Sequence, residues 1–402
     1  MTLSEVSQPN GSGLQQKITH ILPITNRPEL CFISGEGNYL YDQTGKRYLD
    51  LIQGWAVNTL GHCPPVMQQA LIEQSKTLIN PGPAFYNAPM LDLASNLCQH
   101  SVFDQVFFAN SGAEANEGAI KLARKWGQIN KQGASKIITF KQGFHGRTLA
   151  TMSATGKDSF SQLYEPKVPG FTKVSFNDLD ATRAAIDKNT VAFMLELVQG
   201  EAGVIPATPK FVSGLRELCD QNELLLIVDE VQTGIGRTGP LFCYEHYGIE
   251  PDIMTLGKGL GGGFPISALL THKKYSCFEP GDQGGTFNGN PLACAVANAV
   301  VTEVKSPGFL RKSVENADYL KSRLTLLCEK HNLPGIRGKG MLLALSTGDK
   351  DAAALVKQAL ERGLLLNAPR PDTLRFMPAL NIDKSVINEA MTMLDKLLAE
   401  AV

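Results

Sequence analysis

No two of the eight cysteines in this 402-residue chain are spaced as C-x-x-C. They are scattered, some in apolar runs such as PLACAVANAV around Cys294, which suits a reducing compartment better than a disulfide framework. The same scatter argues against a zinc site, whose cysteine ligands come in close pairs, so no metal is implied. Neither sign of charge is in surplus: 38 basic and 39 acidic residues leave a formal net charge of -1. That balance gives no electrostatic reason to expect nucleic acid or an anionic membrane as partner, yet it leaves room for a local pocket that takes a small anion. No stretch approaches the roughly 20 apolar residues that span a bilayer. The opening MTLSEVSQPNGSGLQQ lacks the apolar core of a secretory signal, so the cytoplasm is the expected location. Internal repeats and low-complexity tracts are missing too.

What is present is length enough for a large core and a satellite domain. Residues 1–20 read as a flexible lead-in, with Gly, Ser and Asn clustered at 10–13. GNYLYDQTGKRYLDLI then reads as a hairpin turning at Asp42–Gly45. From about residue 65, short β-rich runs (QVFFA, KIITF, VAFMLEL, LLLIVDE, DIMTLG) alternate with amphipathic helical stretches such as AEANEGAIKLARKW and FVSGLRELCDQN. Continuous apolar strands between helices predict an α/β fold: a mostly parallel sheet covered by helices on both faces. After about residue 305 the pattern changes to that of a smaller α+β domain. The expected division is 1–55 as an N-terminal segment packing with the small domain, 56–305 as the large domain, and 306–402 as the small one.

Several residues could carry chemistry. LLLIVDE runs from buried aliphatics into Asp229 and Glu230, and ligands of open α/β sheets bind beyond the carboxyl ends of strands. An acid there can equally cap the next turn. Lys258 follows a short apolar strand inside TLGKGLGGGF, where partial desolvation would favour a neutral, nucleophilic amine; a solvated lysine in a loop is the alternative. Gly257, Gly259 and Gly262 match G-x-G-x-x-G, but the loop lies deep in the chain and leads into PISALL, a strand, rather than into the helix a dinucleotide site needs. At ANSGAEANEGAIKLAR, Ser111, Gly112 and Ala113 stand where a helix start could hold a phosphate, and Ser111-x-x-Glu114 also matches a capping box. KQGFHGRT offers Phe144 as a platform for a flat ring, Arg147 as a bidentate carboxylate binder, and His145 as an acid/base or structural group. Phosphate cradle, aromatic platform, strand-end Asp and loop Lys are together what pyridoxal 5'-phosphate requires.

These motifs, with YLDLIQGWAVNTLGH, LVQGEAG, DEVQTGIGRTG, GGTFNGNPLACAVA and LRFMPAL in the same order, resemble the class III aminotransferases of the fold-type I pyridoxal-phosphate superfamily. The resemblance implies that Lys258 is the Schiff-base lysine and Asp229 the partner of the pyridine nitrogen. It implies that Ser111, Gly112 and Ala113 hold the phosphate, with Thr286 reaching across from a second subunit of a homodimer. Phe144 would stack on the ring, Val231 would adjoin it, and Gln232 would bond its hydroxyl. Arg147 would take the α-carboxylate of an ω-amino donor or the distal carboxylate of 2-oxoglutarate. Arg375 would take the α-carboxylate of 2-oxoglutarate or glutamate, and would pair with Glu201 while the donor is bound. The implied reaction passes the δ-amino group of N-acetylornithine to 2-oxoglutarate, giving N-acetylglutamate 5-semialdehyde and glutamate, a step of arginine biosynthesis. Ornithine, succinylornithine or 4-aminobutyrate as donor, or a non-catalytic pyridoxal-phosphate-binding regulator, are the competing expectations. Two segments depart from the family pattern: Leu197 stands where a proline is usual, and NPGPAFYNAP lacks Ser-Asn before its aromatic.

Overall fold

A computed structural model describes residues 11–400. Its centre is a seven-stranded sheet in the order Gln105–Ala109, Ser267–Thr271, Ile253–Leu256, Leu225–Asp229, Thr190–Leu195, Lys136–Phe140, Phe171–Val174. Ser267–Thr271 runs antiparallel to both its neighbours, while the other pairings are parallel. The exception has a covalent cause. Only residues 257–266 link it to Ile253–Leu256, too short a connection for the dozen or more residues a parallel crossover takes.

Alternation along the strands explains why they look uniformly apolar. Leu226 and Val228 join one apolar cluster with Phe193, Leu195 and Met254, whereas Leu225 and Ile227 join another with Ala192, Met194 and Ile253. Successive side chains point to opposite faces, and both faces are covered. Helix Gly112–Asn130 supplies Ala119, Leu122 and Ala123 to one cover, and Pro209–Asn222 supplies Phe211, Leu215 and Leu218 to the other.

A third cluster gathers Leu320 and Leu324 of helix Phe309–His331, Leu343 and Leu345, Phe376, and Leu394 of helix Lys384–Glu400. It lies beside a second sheet ordered Gly335–Lys339, Leu342–Ser346, Thr373–Phe376, Asn367–Arg370. Leu49 and Leu51 join the same cluster, and Leu364–Leu365 pairs in parallel with Arg47–Asp50. The expected hairpin is present as Tyr39–Asp42 against Arg47–Asp50. Its turn is held by Asp42 Oδ1, which accepts from the backbone N–H groups of Thr44 (2.8 Å) and Lys46 (3.0 Å).

The lead-in differs from expectation over part of its length. Gly11–Ile18 is a helix rather than irregular chain, and the rest of the stretch to residue 10 lies outside the described residues. Leu14, Gln15, Gln16 and Lys17 are good helix formers, and Lys17 sits in the last turn, where a cation favours the helix dipole. Among the described residues no helix is long and apolar enough to cross a membrane, no disulfide forms, and no cluster of three potential metal ligands occurs.

Candidate active site

Five strand ends converge on one cavity of about 590 Å³. Gly112 and Ala113 follow Gln105–Ala109, Phe144 to Arg147 follow Lys136–Phe140, and Glu196 and Glu201 follow Thr190–Leu195. Asp229, Val231 and Gln232 come from the end of Leu225–Asp229 and the turn after it, and Lys258 follows Ile253–Leu256. Thr25 and Trp55 complete the wall from the N-terminal part of the chain.

Asp229 is 3% exposed and its carboxylate is fixed on several sides. Oδ2 accepts from Asn116 Nδ2 at 2.8 Å and lies 2.8 Å from His145 Nδ1, while Oδ1 accepts from the Val231 N–H at 3.1 Å. Asn116 is held in turn. Its Oδ1 accepts from Thr255 Oγ1 at 2.7 Å, and its Nδ2 also donates to the His145 carbonyl at 2.7 Å. Thr255 is the register partner of Asp229 on the neighbouring parallel strand, so sheet pairing sets this network. His145, 2% exposed, therefore orients a carboxylate.

The two strand-end acids divide the roles the sequence left open. Glu230 turns away from the cavity and accepts from the backbone N–H groups of Cys243 (2.6 Å) and Tyr244 (2.8 Å), the capping role. Burial pushes its carboxyl up to about 8 despite those donors. Asp229 faces the cavity.

The helix start is both capped and open. Ser111 Oγ accepts from the Glu114 N–H at 3.3 Å, and Glu114 Oε2 accepts from the Ser111 N–H at 2.9 Å, a complete capping box. Gly112 and Ala113 still line the cavity. A Cβ on Gly112 would meet Val231 Cγ1 at 2.6 Å, so only glycine lets the backbone come this close to the strand end. N–H groups at a helix start, with the dipole behind them, suit a phosphate.

Lys258 adopts φ +42°, an uncommon left-handed conformation for a residue with a side chain. No α-helix opens from this glycine loop: Lys258–Leu260 is a single 3-10 turn followed by the strand Ser267–Thr271, which disposes of the dinucleotide motif. Burial lowers the Lys258 ammonium pKa, and the charges of Asp229 and Glu196 oppose that shift without cancelling it. Glu196 itself is raised, by burial first and then by Asp229, while it accepts from the Phe144 N–H at 2.8 Å.

Glu201 and Arg147 also line the cavity, whereas Arg375 and Lys157 meet it through Glu201 and are not part of its lining. Arg375, fully buried, donates from Nη2 to Glu201 Oε1 at 2.8 Å and from Nε to Asn367 Oδ1 at 2.9 Å, leaving Nη1 without a partner. Burial alone would raise the Glu201 carboxyl, but Arg375 and Lys157 outweigh it and hold the group at about 2. The stability from this pairing is therefore full above the ordinary carboxyl value of 4.5 and is lost as pH falls towards about 2. Arg147 is exposed, with its guanidinium 5.3 Å over the Phe160 ring and no ion-pair partner among the described residues.

Sequence reasoning passed over Asn116, Glu196, Thr25 and Trp55 as cavity residues. Asn116 was detectable as a polar residue on the apolar face of its helix; Thr25 and Trp55 depend on long-range packing and left no local signal. Thr286 lies elsewhere: it is exposed and does not line this cavity. The same is true of Phe85 and Tyr86 in the departing NPGPAFYNAP segment, 67% and 84% exposed.

Residues 24–398 match the family model described as aminotransferase class-III. The chain belongs to the class-III aminotransferases. The aminotransferase is 56% identical over 388 residues to the acetylornithine aminotransferase of Ralstonia nicotianae, covering 95% of this chain and 97% of that one. It is 55% identical to acetylornithine aminotransferase 2 of Bordetella bronchiseptica, over 96% and 98% of the two chains. Its fold matches the crystal structure of an ornithine aminotransferase from Toxoplasma gondii with a TM-score of 0.92 at 31% identity, over 97% and 95% of the two chains. This is the fold-type I architecture, and the cofactor of such aminotransferases is pyridoxal phosphate. The cavity suits that group: a cradle closed to any Cβ at Gly112, a fixed buried carboxylate at Asp229, and a lysine of lowered pKa in the same lining.

Proposed function

We propose that this aminotransferase moves the δ-amino group of N-acetylornithine to 2-oxoglutarate, giving N-acetylglutamate 5-semialdehyde and glutamate. The observation that carries the reading is the unequal state of its two arginines. Arg375 is neutralised by Glu201, while Arg147 has no carboxylate partner among the described residues. An ω-amino donor brings no carboxylate beside its reacting amine, so a buried free guanidinium there would be costly, and Glu201 removes that cost. Arg147 remains for the donor's single carboxylate. 2-Oxoglutarate brings two carboxylates, and Arg375 becomes available when Glu201 moves off.

Pyridoxal phosphate, when bound, supplies an electrophilic carbonyl and a ring that draws electrons from the carbon bearing the amine. Lys258 would carry it, Asp229 would hold its ring nitrogen protonated, and the Gly112 and Ala113 N–H groups beside Ser111 would hold its phosphate. Phe144 would stack on the ring, Val231 would pack beside it, and Gln232 would bond its hydroxyl. Freed from the cofactor, Lys258 Nζ is the base that takes a proton from the amine-bearing carbon and later returns one, a role its lowered pKa supports.

The reading includes a homodimer in which the partner's Thr286 completes the phosphate site. Thr286 stands on an exposed surface with Phe287 and, through the Asn290 Nδ2 bond to the Ile79 carbonyl (2.7 Å), next to the segment bearing Phe85 and Tyr86. An exposed aromatic group of this size supports a covering subunit. The division at residues 55 and 305 is part of the same proposal, supported by the separate apolar cluster of the C-terminal part. The reading also includes a cytoplasmic location and a step in arginine biosynthesis.

The test is a donor panel on the loaded enzyme: N-acetylornithine, N-succinylornithine, ornithine and 4-aminobutyrate, each with 2-oxoglutarate. N-acetylornithine is expected to give the highest kcat/KM. A higher value for another donor would replace the substrate and leave the reaction class standing.

A further inference from the structure

Glu201 has two cations, and the proposed function uses one. Its Oε1 lies on Arg375, but its Oε2 accepts from Lys157 Nζ at 2.8 Å. The pair is three-quarters withdrawn from solvent, at 22% and 24% side-chain exposure, so it is less screened than a surface ion pair. The lysine head is confined as well: it lies 5.8 Å from the ring centroids of both Phe144 and Phe160. Phe160 carries Arg147 on its ring, so Lys157 adjoins the platforms of the cofactor and of the first arginine. Arg375 is fixed by Asn367 and cannot follow a departing carboxylate far.

We infer that Lys157 is a positioning residue for the substrate exchange: it holds Glu201 by Oε2 while Oε1 releases Arg375 to the incoming dicarboxylate. The carboxylate then pivots about a retained ion pair instead of being left as an unpaired, half-buried charge. The role rests on the Glu201–Arg375 exchange proposed above and adds the place to which Glu201 goes. Lys157 acts through Glu201 and does not touch the substrate. Its contribution belongs to the 2-oxoglutarate half of the cycle, because in the donor half Glu201 already sits on Arg375.

The experiment measures binding of glutarate, an unreactive dicarboxylate, to the cofactor-loaded enzyme by calorimetry. Wild type is compared with Lys157→Met, Lys157→Gln, Lys157→Arg, Glu201→Ala and the Lys157→Met/Glu201→Ala double variant. The two neutral variants are expected to bind glutarate about three- to tenfold more weakly, as loss of a partly buried charged hydrogen bond implies, and Lys157→Arg is expected to restore it. In steady state the loss should fall on KM for 2-oxoglutarate rather than on kcat. In the Glu201→Ala background, removing Lys157 should cost nothing more. Unchanged or tighter binding in both neutral variants overturns the inference, and so does a full loss in the double variant, which would mean direct contact with substrate. If Glu201→Ala alone leaves glutarate affinity unchanged, the exchange itself is wrong and Lys157 falls with it.

Discussion

The two ends of the cavity hold their charges differently. At one end Asp229 is locked by Asn116, His145 and the Val231 N–H, with Thr255 fixing Asn116 across the sheet. At the other, Glu201 is shared between Arg375 and Lys157, with a quarter of its side chain open to solvent and an Arg375 nitrogen left unpartnered. In the proposed function Asp229 keeps a proton on one ring atom throughout the cycle, and such a carboxylate gains from rigidity, since preorganised charge needs no rearrangement during reaction. A carboxylate that must give way to a second substrate gains from having two partners. The sheet supplies the first, and loops together with the smaller sheet supply the second.

Substitutions can break this contrast in graded ways. Lys258→Ala should lower kcat by about four orders of magnitude or more, since attachment and proton transfer both fail; a single-turnover assay with either substrate checks it. Asp229→Ala should slow both half-reactions alike, by about three orders of magnitude, because the fixed end serves both. Glu201→Ala should act on one half only. With Arg375 freed, the ratio of kcat/KM for glutamate to that for N-acetylornithine should rise by about tenfold, and an unchanged ratio would erase the distinction between the ends. The smallest effect belongs to Thr255→Val, which leaves Asn116 Oδ1 buried without its donor. Urea unfolding should report a loss of about 1–3 kcal/mol, with both half-reactions slowed equally.

The fixed end was largely legible in the sequence because its residues sit at strand ends. LLLIVDE puts Asp229 at the carboxyl edge of the sheet, and the short link from Ile253–Leu256 to Ser267–Thr271 brings Lys258 to the same edge. Glu230 could not be told from Asp229 by position alone, since the choice depends on which acid meets the Cys243 and Tyr244 N–H groups. The exchangeable end was half legible. Arg147, Glu201 and Arg375 stood out through family motifs, whereas Lys157 follows a glycine in ATGKDSF and meets Glu201 only through tertiary packing. Trp55 was hidden for a similar reason: it reaches the cavity from a left-handed turn (φ +64°) that no helix or strand periodicity announces. The helix Gly11–Ile18 is hidden by its own first residues, since Gly11, Ser12 and Gly13 have the composition of a loop and precede the helix formers Leu14 to Lys17.

The most direct test of one site serving two half-reactions is the visible spectrum of the cofactor-loaded protein, recorded alone, after N-acetylornithine, and after a following addition of 2-oxoglutarate. The account predicts that the donor bleaches the band of the lysine-bound cofactor and that the keto acid restores it, with one glutamate formed per site. A band that N-acetylornithine leaves untouched, or that 2-oxoglutarate fails to restore, would contradict it.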